Sequence, residues 1–283
     1  MNENGIVYRR LNSHEEYLAC EHLQKETWGF ADVSIVPGHI LITFQKRGGL
    51  VLGAFEGDRL VGFVYGFVGW HDGKPTHNSV MSAVRPEYRN RGVAHQLKCE
   101  QRRIALQQGF DLMTWTFDPL QALNAHFNLS KLGAVVRGYW SDLYGPFRDQ
   151  INKDLPTDRF AVEWWLDTPR TLHRMEAAST KTIPPLPDNP PALGESGMLI
   201  PTDRPPSLEG KDLLHLAIPL SVDQLKAQNA KLAMAWRLHM RAWLEDALQA
   251  GFIVHDFCVD HQRKMGIYTL SRKALQTVLW EEL

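Results

Sequence analysis

One short segment of the chain combines glycine, positive charge and the start of a helix in a way that suits an anion. Arg89-Asn90-Arg91-Gly92-Val93-Ala94 follows a predicted strand and opens a predicted helix. The first amides of a helix have no acceptor within it, and the helix dipole makes that end positive. Gly92 and Ala94 keep the approach to these amides open. Arg89 and Arg91 add charge and donors, so the segment is predicted to bind a pyrophosphate.

This segment and the residues before it resemble a family signature. Arg89-x-x-Gly92-x-Ala94, preceded by Val84-Arg85-Pro86-Glu87-Tyr88, is similar to the acyl-CoA signature of the GCN5-related N-acetyltransferase (GNAT) superfamily. In that family the pattern Arg/Gln-x-x-Gly-x-Gly/Ala lies between the fourth strand and the third helix. The resemblance extends over roughly residues 6–166. It implies a mixed α/β fold with acetyl-CoA or another acyl-CoA as cosubstrate. It also implies that a backbone N–H near Ala83–Val84 stabilises the acyl oxygen.

A second block, Asn124-Ala125-His126-Phe127 followed by Lys131-Leu132-Gly133, resembles the family's segment after the fifth strand. There an Asn commonly binds the pantetheine arm of CoA and an aromatic residue packs on it, which implies these roles for Asn124 and Phe127. Many members have a Tyr four residues before the Gly, where it protonates the departing thiolate. This chain has Leu129 at that position. We therefore expect the general acid to be absent or to come from elsewhere.

Acyl transfer to an amine also needs a base and benefits from an acid, and three side chains are candidates. Glu56 lies on a predicted hairpin turn, and His77 lies just before the predicted fourth strand. Either could accept the proton of the amine, although each also suits an ordinary surface or hydrogen-bonded position. Tyr144 in a predicted loop is preferred as the acid to Tyr139, whose simplest role is core packing.

The C-terminal part offers further charged groups. Arg237 and Arg241 lie in a helical pattern and are predicted to be solvated, with the apolar residues around them packing inward. If this region closed over the site, either could bind a substrate carboxylate bidentately. His255–His261 contains many metal-ligand side-chain types, but strand alternation divides them between two faces. No metal site is predicted there.

The elements that must position these residues follow the order of the same fold. Periodicity and turn residues predict a strand, two helices, two strands, a polar loop, a strand, the helix after the phosphate turn, a strand, a short helix and two strands. Their approximate bounds are 6–10, 13–27, 37–47, 50–55, 60–68, 70–75, 78–84, 92–108, 112–117, 122–132, 134–139 and 159–166. The predicted strand that ends at residue 84 and the predicted helix that begins at 92 flank the proposed pyrophosphate-binding turn.

Prolines mark a break after these elements. More than half of the 16 prolines lie between Thr168 and Pro206, where paired prolines disfavour regular structure. We therefore predict a GNAT-like acyl-CoA-binding domain over 1–167, a linker or ordered arm over 168–210, and a C-terminal α/β region over 211–283. In that last region the helix end at 247–252 is similar to the one at 105–110. This similarity leaves a degenerate half-repeat open.

Composition narrows the class of protein. The 283 residues carry a net charge of −1, which does not favour nucleic acid as a partner. Leu60–Trp70, the longest apolar stretch, is too short to span a bilayer, and no signal peptide is evident. Three cysteines, odd in number and far apart, indicate reduced thiols in a cytoplasmic protein. The expected partner is a small-molecule amine, not a nucleic acid or a membrane, and a homodimer is left open.

The leading hypothesis is an acyl-CoA-dependent N-acyltransferase, with acetyl favoured as the acyl group and an amino acid among the candidate small-molecule acceptors. Two alternatives stay open. One is a protein or peptide N-acetyltransferase. The other is a module that binds acyl-CoA without catalysis, which the missing Tyr favours. The phosphate-binding turn fits all three.

Overall fold

The computed structural model describes residues 5–145, 155–176, 183–184, 186–203 and 205–280. These residues form two compact units, and the division falls inside a strand, between Trp115 and Thr116. The expected boundary at residue 167 does not coincide with this division. The three-part organisation therefore stays a prediction, to be tested by dissecting the chain.

The first unit is a mixed sheet with helices. Its strands run in the order β1-β2-β3-β4-β5. The ladders are antiparallel from β1 to β4, and β4 pairs with β5 in parallel. The bounds are β1 Ile6–Arg10, α1 His14–Trp28, α2 Gly38–Lys46, β2 Leu50–Glu56, β3 Arg59–His71, β4 Lys74–Val84, α3 Val93–Gln107 and β5 Leu112–Phe117. The predicted order of elements is present.

Local rules explain where the first helix starts. The Ser13 hydroxyl accepts the Glu16 amide, and the Glu16 carboxylate accepts the Asn12 amide at 2.8 Å. This reciprocal cap satisfies amides that the helix itself leaves without acceptors. The helix ends at Gly29, whose φ of 64° suits a residue without a Cβ.

The sheet of the first unit is buried on both faces. One core cluster joins β-strand residues such as Val61 and Val64 to Leu97 of α3. The other joins Phe63 and Tyr65 of β3 to residues of α1 and α2. Phe63, Val64 and Tyr65 thus alternate between opposite cores, and the irregular pairing with β2 at Val61 changes the phase of this alternation. Both faces of β3 are covered, which is why this strand is apolar over most of its length.

The predicted polar loop over 70–75 is wrong. β3 continues to His71 and β4 begins at Lys74, so the turn contains only Asp72 and Gly73. Both have positive φ values, 47° and 77°. Paired strands at a solvated hairpin end need no apolar residues, so polarity alone did not separate strand from loop here.

The second unit contains the strand order β7-β6-β11-β12-β10, all in antiparallel ladders. α4 passes directly into a π-helical turn, His126–Lys131. The bounds are α4 Ala122–Ala125, β6 Val135–Trp140, β7 Arg159–Trp165, α5 Pro169–Glu176, β8 Ala192–Leu193, β9 Leu199–Ile200, β10 Leu213–Pro219, α6 Val222–Gln228, α7 Ala230–Gln249, β11 Ile253–Asp260, β12 Met265–Ser271 and α8 Leu275–Trp280.

The proline-rich stretch contains more structure than its composition indicates. α5 occupies its beginning, and buried Arg170 donates to the carbonyls of Gly133 and His255. Farther on, the Asn189 side chain pairs with both the amide and the carbonyl of Ala217 on β10. We call the described stretch 186–203 the arm; its contacts with β10 lie within the second unit.

The similarity between the two helix ends is real but local. Phe110 donates to Ala105 and Phe252 donates to Ala247, both at 3.0 Å. Beyond the caps the topology differs. β4 and β5, which flank α3, pair directly, whereas β10 and β11, which flank α6 and α7, each pair with β12. The half-repeat therefore has no support from strand pairing.

Candidate active site

The turn after β4 has the geometry of an anion site. Pro86–Tyr88 form a 3₁₀ turn, and Asn90 and Gly92 both have positive φ, 60° and 78°. α3 then begins at Val93, and no side chain in the described part of the chain caps it. Its first amides are therefore left for water or a ligand.

The side chains of the turn divide between solvent and core. Arg89, Asn90, Arg91 and Gly92 are exposed, whereas Val93 is buried, so only the main chain of Val93 can face a ligand. A Cβ on Gly92 would meet nothing within 4 Å. Gly92 is therefore needed for its left-handed backbone, and the open space beside it is free for a ligand.

Glu56 braces this turn. The Tyr88 hydroxyl donates to the Glu56 carboxylate at 2.5 Å, which raises the pKa of Tyr88. The neighbouring Arg59 bonds Glu87 at 2.7 Å. The β2–β3 hairpin thus contacts the turn after β4 from one side, and Glu56 lies at that turn.

The edge of β4 that faces β5 is open beyond its first residues. Two residue pairs, His77 with Met113 and Asn78 with Thr114, make up the β4–β5 ladder of the described structure. On the other edge the Arg85 amide donates to Val61. Because amides alternate in direction along a strand, that of Ala83 points to β3 and that of Val84 points away from it. Of the two predicted oxyanion donors, Val84 is the one whose amide points to the open edge of β4.

His77 lies inside the first unit. Its side chain is fully buried, and Nε2 accepts a hydrogen bond from the Gln101 amide at 3.1 Å. Burial, with the nearby Lys98 ammonium, lowers the pKa of His77 to about 4. The imidazole is therefore neutral at physiological pH and has no contact with solvent, through which an acceptor amine would arrive.

A buried lysine beside His77 was missed by sequence reasoning. Lys98 Nζ donates to Ser79 Oγ at 2.8 Å and to Gln101 Oε1 at 3.1 Å, and it lies 4.2 Å from the Trp115 ring centroid. Burial lowers the pKa of Lys98 to about 7. The signal was present, because Lys98 shares a helical face with Ala94, Gln101 and Ala105.

In the second unit the pantetheine candidates are accessible to different degrees. Asn124 is exposed and Phe127 is half-buried, close together where α4 passes into the π-helical turn. Leu129 is fully buried in the core. The position where the family usually has its acid is therefore a packing position in this chain.

Tyr144 lies in the turn after β6. Its hydroxyl is 3.1 Å from Thr116 Oγ1, and the Arg159 guanidinium lies 5.4 Å from its ring centroid. The side chain is 49% exposed. Tyr139, in contrast, donates its hydroxyl to buried Asp158 at 2.5 Å, and burial together with that carboxylate raises the pKa of Tyr139. Of the two, Tyr144 has the accessible hydroxyl.

The expectation that both arginines of α7 are solvated is wrong. Arg237 is 2% exposed and makes two hydrogen bonds to Asp118, at 2.8 and 2.5 Å. Arg241 makes two to Asp158, at 2.9 and 2.6 Å. Both guanidinium groups are thus hydrogen-bonded to carboxylates of the chain itself. Helical periodicity could not identify these partners, because they lie far away in sequence.

Three further findings limit the chemistry of the described residues. Within those ranges, no group of three or more His, Cys, Asp or Glu side chains could hold a metal ion. No helix in them is long and apolar enough to cross a membrane. Cys20, Cys99 and Cys258 are free thiols. Burial raises the pKa of Cys99 to about 11, so its thiolate is disfavoured.

Comparison with solved structures finds GNAT proteins of low identity. A putative GNAT acetyltransferase from Desulfovibrio desulfuricans is 16% identical, with a TM-score of 0.45, and the match covers 57% of this chain and 99% of that one. YncA, a putative acetyltransferase from Salmonella typhimurium with acetyl-CoA, is also 16% identical, with a TM-score of 0.45 and 64% and 100% coverage. Ribosomal-protein-S18-alanine N-acetyltransferase from Escherichia coli is 12% identical, with a TM-score of 0.45 and 63% and 99% coverage.

A family model matches part of the sequence. No curated protein matches the chain. Residues 13–133 match the model of the Acetyltransferase (GNAT) family. This range begins at the cap of α1, contains the phosphate turn with α3, and ends at the glycine after the π-helical turn. Residues 13–133 are therefore similar to a GNAT acetyltransferase domain.

Proposed function

We propose that the protein transfers an acyl group, acetyl in the first instance, from acyl-CoA to the amine of a small molecule, with an amino acid as one candidate acceptor. The observation that carries the proposal is the uncapped N-terminus of α3 behind the basic turn Arg89–Gly92, within a GNAT domain. This is a main-chain anion site of the kind that a pyrophosphate needs. The cytoplasm is the proposed location, because all three cysteines are free thiols.

The residues have separate roles in this proposal. The turn and the first amides of α3, over 89–94, bind the pyrophosphate. The open edge of β4 offers main-chain donors and acceptors to the pantetheine amides, as a sheet edge does to an added strand. Asn124 and Phe127 contact the pantetheine chain of CoA. Val84 donates its amide to the thioester oxygen as that oxygen gains charge.

The reaction is a nucleophilic acyl substitution. The neutral amine attacks the thioester carbon, the carbon–sulfur bond breaks, and the amine loses one proton while the CoA thiolate gains one. Tyr144 is the proposed donor of that proton because its hydroxyl is accessible. Glu56 and His77 are the candidate bases, and Glu56 has the solvent contact that His77 lacks.

Two alternatives to this proposal differ from it, one in the acceptor substrate and the other in the absence of catalysis. A protein or peptide N-acetyltransferase would use the same donor site. A module that binds acyl-CoA without turnover would keep the turn and lack the acid. Release of free CoA thiol, measured against panels of amines, amino acids and peptides, separates the three. Turnover with peptides alone would contradict the small-molecule proposal, and tight CoA binding with no turnover would support the non-catalytic module.

The pyrophosphate turn can be tested with a matched pair of glycines at the two ends of α3. Gly92 and Gly109 both have positive φ, 78° and 85°, and a Cβ on either would meet nothing within 4 Å. Replacement by Glu should therefore cost similar stability at each, about 1–2 kcal/mol for the left-handed backbone. Only Gly92→Glu places a carboxylate beside the proposed pyrophosphate. We expect it to weaken CoA binding at least about tenfold by calorimetry.

Gly109→Glu is the control and should keep the affinity for CoA of the unmodified chain. Thermal unfolding of both variants shows whether their folds and stabilities match. A folded Gly92→Glu protein with unchanged affinity for CoA would place the pyrophosphate elsewhere.

A further inference from the structure

The loop that carries Tyr144 is hydrogen-bonded to two buried residues directly before β7. The Tyr144 amide donates to Thr157 Oγ1 at 2.9 Å, and the Thr157 amide donates to Asp142 at 2.9 Å. The Asp142 amide in turn donates to Asp158 at 3.0 Å. Thr157 and Asp158 are 1% and 0% exposed. The backbone of Tyr144 therefore follows the position of this buried pair.

Asp158 is itself held from the C-terminal helix. Arg241 of α7 makes two hydrogen bonds to its carboxylate, and Tyr139 makes a third. Burial opposes the charge of Asp158, but these hydrogen bonds hold its pKa below the usual range. A fully buried carboxylate keeps its charge and its geometry only while such partners remain.

The same helix also holds the segment that carries Thr116, the hydroxyl neighbour of Tyr144. Arg237, one helical turn before Arg241, makes two hydrogen bonds to Asp118. Asp118 follows Thr116 by two residues, and Thr116 is the residue whose hydroxyl meets that of Tyr144. Residues four apart lie on one helix face, so a single face of α7 fixes both segments of that hydrogen bond.

We infer that Arg241 is a positioning residue for acyl transfer. Through Asp158 and Thr157, it sets the Tyr144 hydroxyl against Thr116 for the protonation of the CoA thiolate. This inference rests on the proposed function, in which Tyr144 is the acid. It gives the C-terminal region a role in turnover although Arg241 does not itself contact the reacting atoms.

A double-mutant cycle tests the coupling. Tyr144→Phe should lower kcat by about 10²–10⁴-fold with unchanged affinity for acyl-CoA, because only the phenolic proton is lost. Arg241→Ala should lower kcat by up to the same factor. In the double variant the losses should not add, because a misplaced acid and a missing acid have the same consequence. Multiplicative losses would overturn the inference, since Arg241 would then act independently of Tyr144.

A matched control separates positioning from loss of stability. Arg174 also pairs with an aspartate of the second unit, Asp256, at 2.9 Å; the two arginines are similarly exposed, at 18% and 25%, although Asp256 is less buried than Asp158. Arg174→Ala should lower the unfolding temperature but leave kcat at temperatures where the protein is folded. If Arg241→Ala fails to fold, Arg241→Lys keeps the charge and loses the bidentate geometry, and the same cycle is run with it.

A readout without turnover distinguishes this inference from the proposed function. With 3-fluorotyrosine at position 144, Arg241→Ala should shift or broaden the ¹⁹F resonance, whereas Arg174→Ala should not. An unchanged resonance would overturn the positioning inference. Wild-type kcat in Tyr144→Phe under chemistry-limited conditions, together with a shifted resonance in Arg241→Ala, would remove the acid role and leave the structural link standing.

Discussion

At the scale of single residues, Lys98 shows how burial changes chemistry. Among the described residues, Ser79, Gln101 and the Trp115 ring hold its ammonium. Desolvation disfavours the charged form of such a group. His77 shares Gln101 with it, and the Lys98 charge contributes to the low pKa of His77. Two basic side chains can thus both be neutral at neutral or slightly alkaline pH.

This burial predicts a dependence of stability on pH. Burial lowers the pKa of Lys98 in the folded chain to about 7, from an ordinary value of 10.5. Between these values the unfolded chain binds one more proton, so the contribution of Lys98 to stability rises with pH. The free energy of unfolding relative to Lys98→Met should therefore rise between pH 7 and 9, by at most about 1.4 kcal/mol per pH unit.

Urea unfolding of both proteins at several pH values measures this difference. Lys46→Met removes an exposed lysine from the same unit and should leave the pH dependence of the unmodified chain in place. A difference between wild type and Lys98→Met that stays flat from pH 7 to 9 would mean that Lys98 remains charged in the folded protein.

At the scale of elements, the arm over 186–203 protects a sheet edge. β10 is the last strand in the order β7-β6-β11-β12-β10, so in the described part of the chain one of its edges has no strand partner. Asp188 and Asn189 of the arm supply hydrogen bonds to His215 and Ala217 on it. Side-chain amides can replace a strand partner in this way where prolines prevent a regular ladder.

Asn189→Ala should destabilise the second unit by about 2–4 kcal/mol, since it leaves the buried amide and carbonyl of Ala217 without their partner. It should also speed thermolysin cleavage within the arm. Asn229→Ala is the matched control, because Asn229 caps α7 by accepting the Leu232 amide and should cost about 1 kcal/mol. Equal cleavage rates in the two variants would show that Asn189 does not hold the arm.

At the scale of the whole molecule, the compact units do not follow the apparent domain boundary. β6 and β7, which belong to the fold order read from the sequence, lie in the second unit together with the C-terminal strands. Within that unit β6 pairs with β11 through Val136 and Val254. Buried Trp236 of α7 donates to Leu199 of the arm. Both the arm and α7 follow residue 167 in the chain.

A fragment of residues 1–167 is therefore expected not to fold cooperatively. This fragment lacks β10–β12 and α7, so apolar residues such as Val135 and Val136 would become exposed. Asp118 and Asp158 would also lose their ion-pair partners, Arg237 and Arg241. Circular dichroism in the near ultraviolet and thermal unfolding check this, with the full chain as the reference. A cooperatively unfolding fragment that binds CoA would support the boundary at 167.

The sequence by itself determined the local features of this protein. The cap at Ser13, the left-handed glycines, the turn over 89–92 and the order of elements depend on neighbours within a few residues, and short-range rules describe these well. Val84 and the turn over 89–94 could be proposed as donor-binding residues for that reason. The hairpin end at 70–75 was missed because a solvated strand pair has no apolar pattern.

Only the tertiary structure decided which charges meet. Arg237 with Asp118 and Arg241 with Asp158 join residues that are far apart in sequence, and His77 is buried by α3. Charge type and helical spacing are the same for a solvated arginine and for one paired in the interior. The outcome depends on whether folding brings a carboxylate to it, since a buried charge persists only with such a partner.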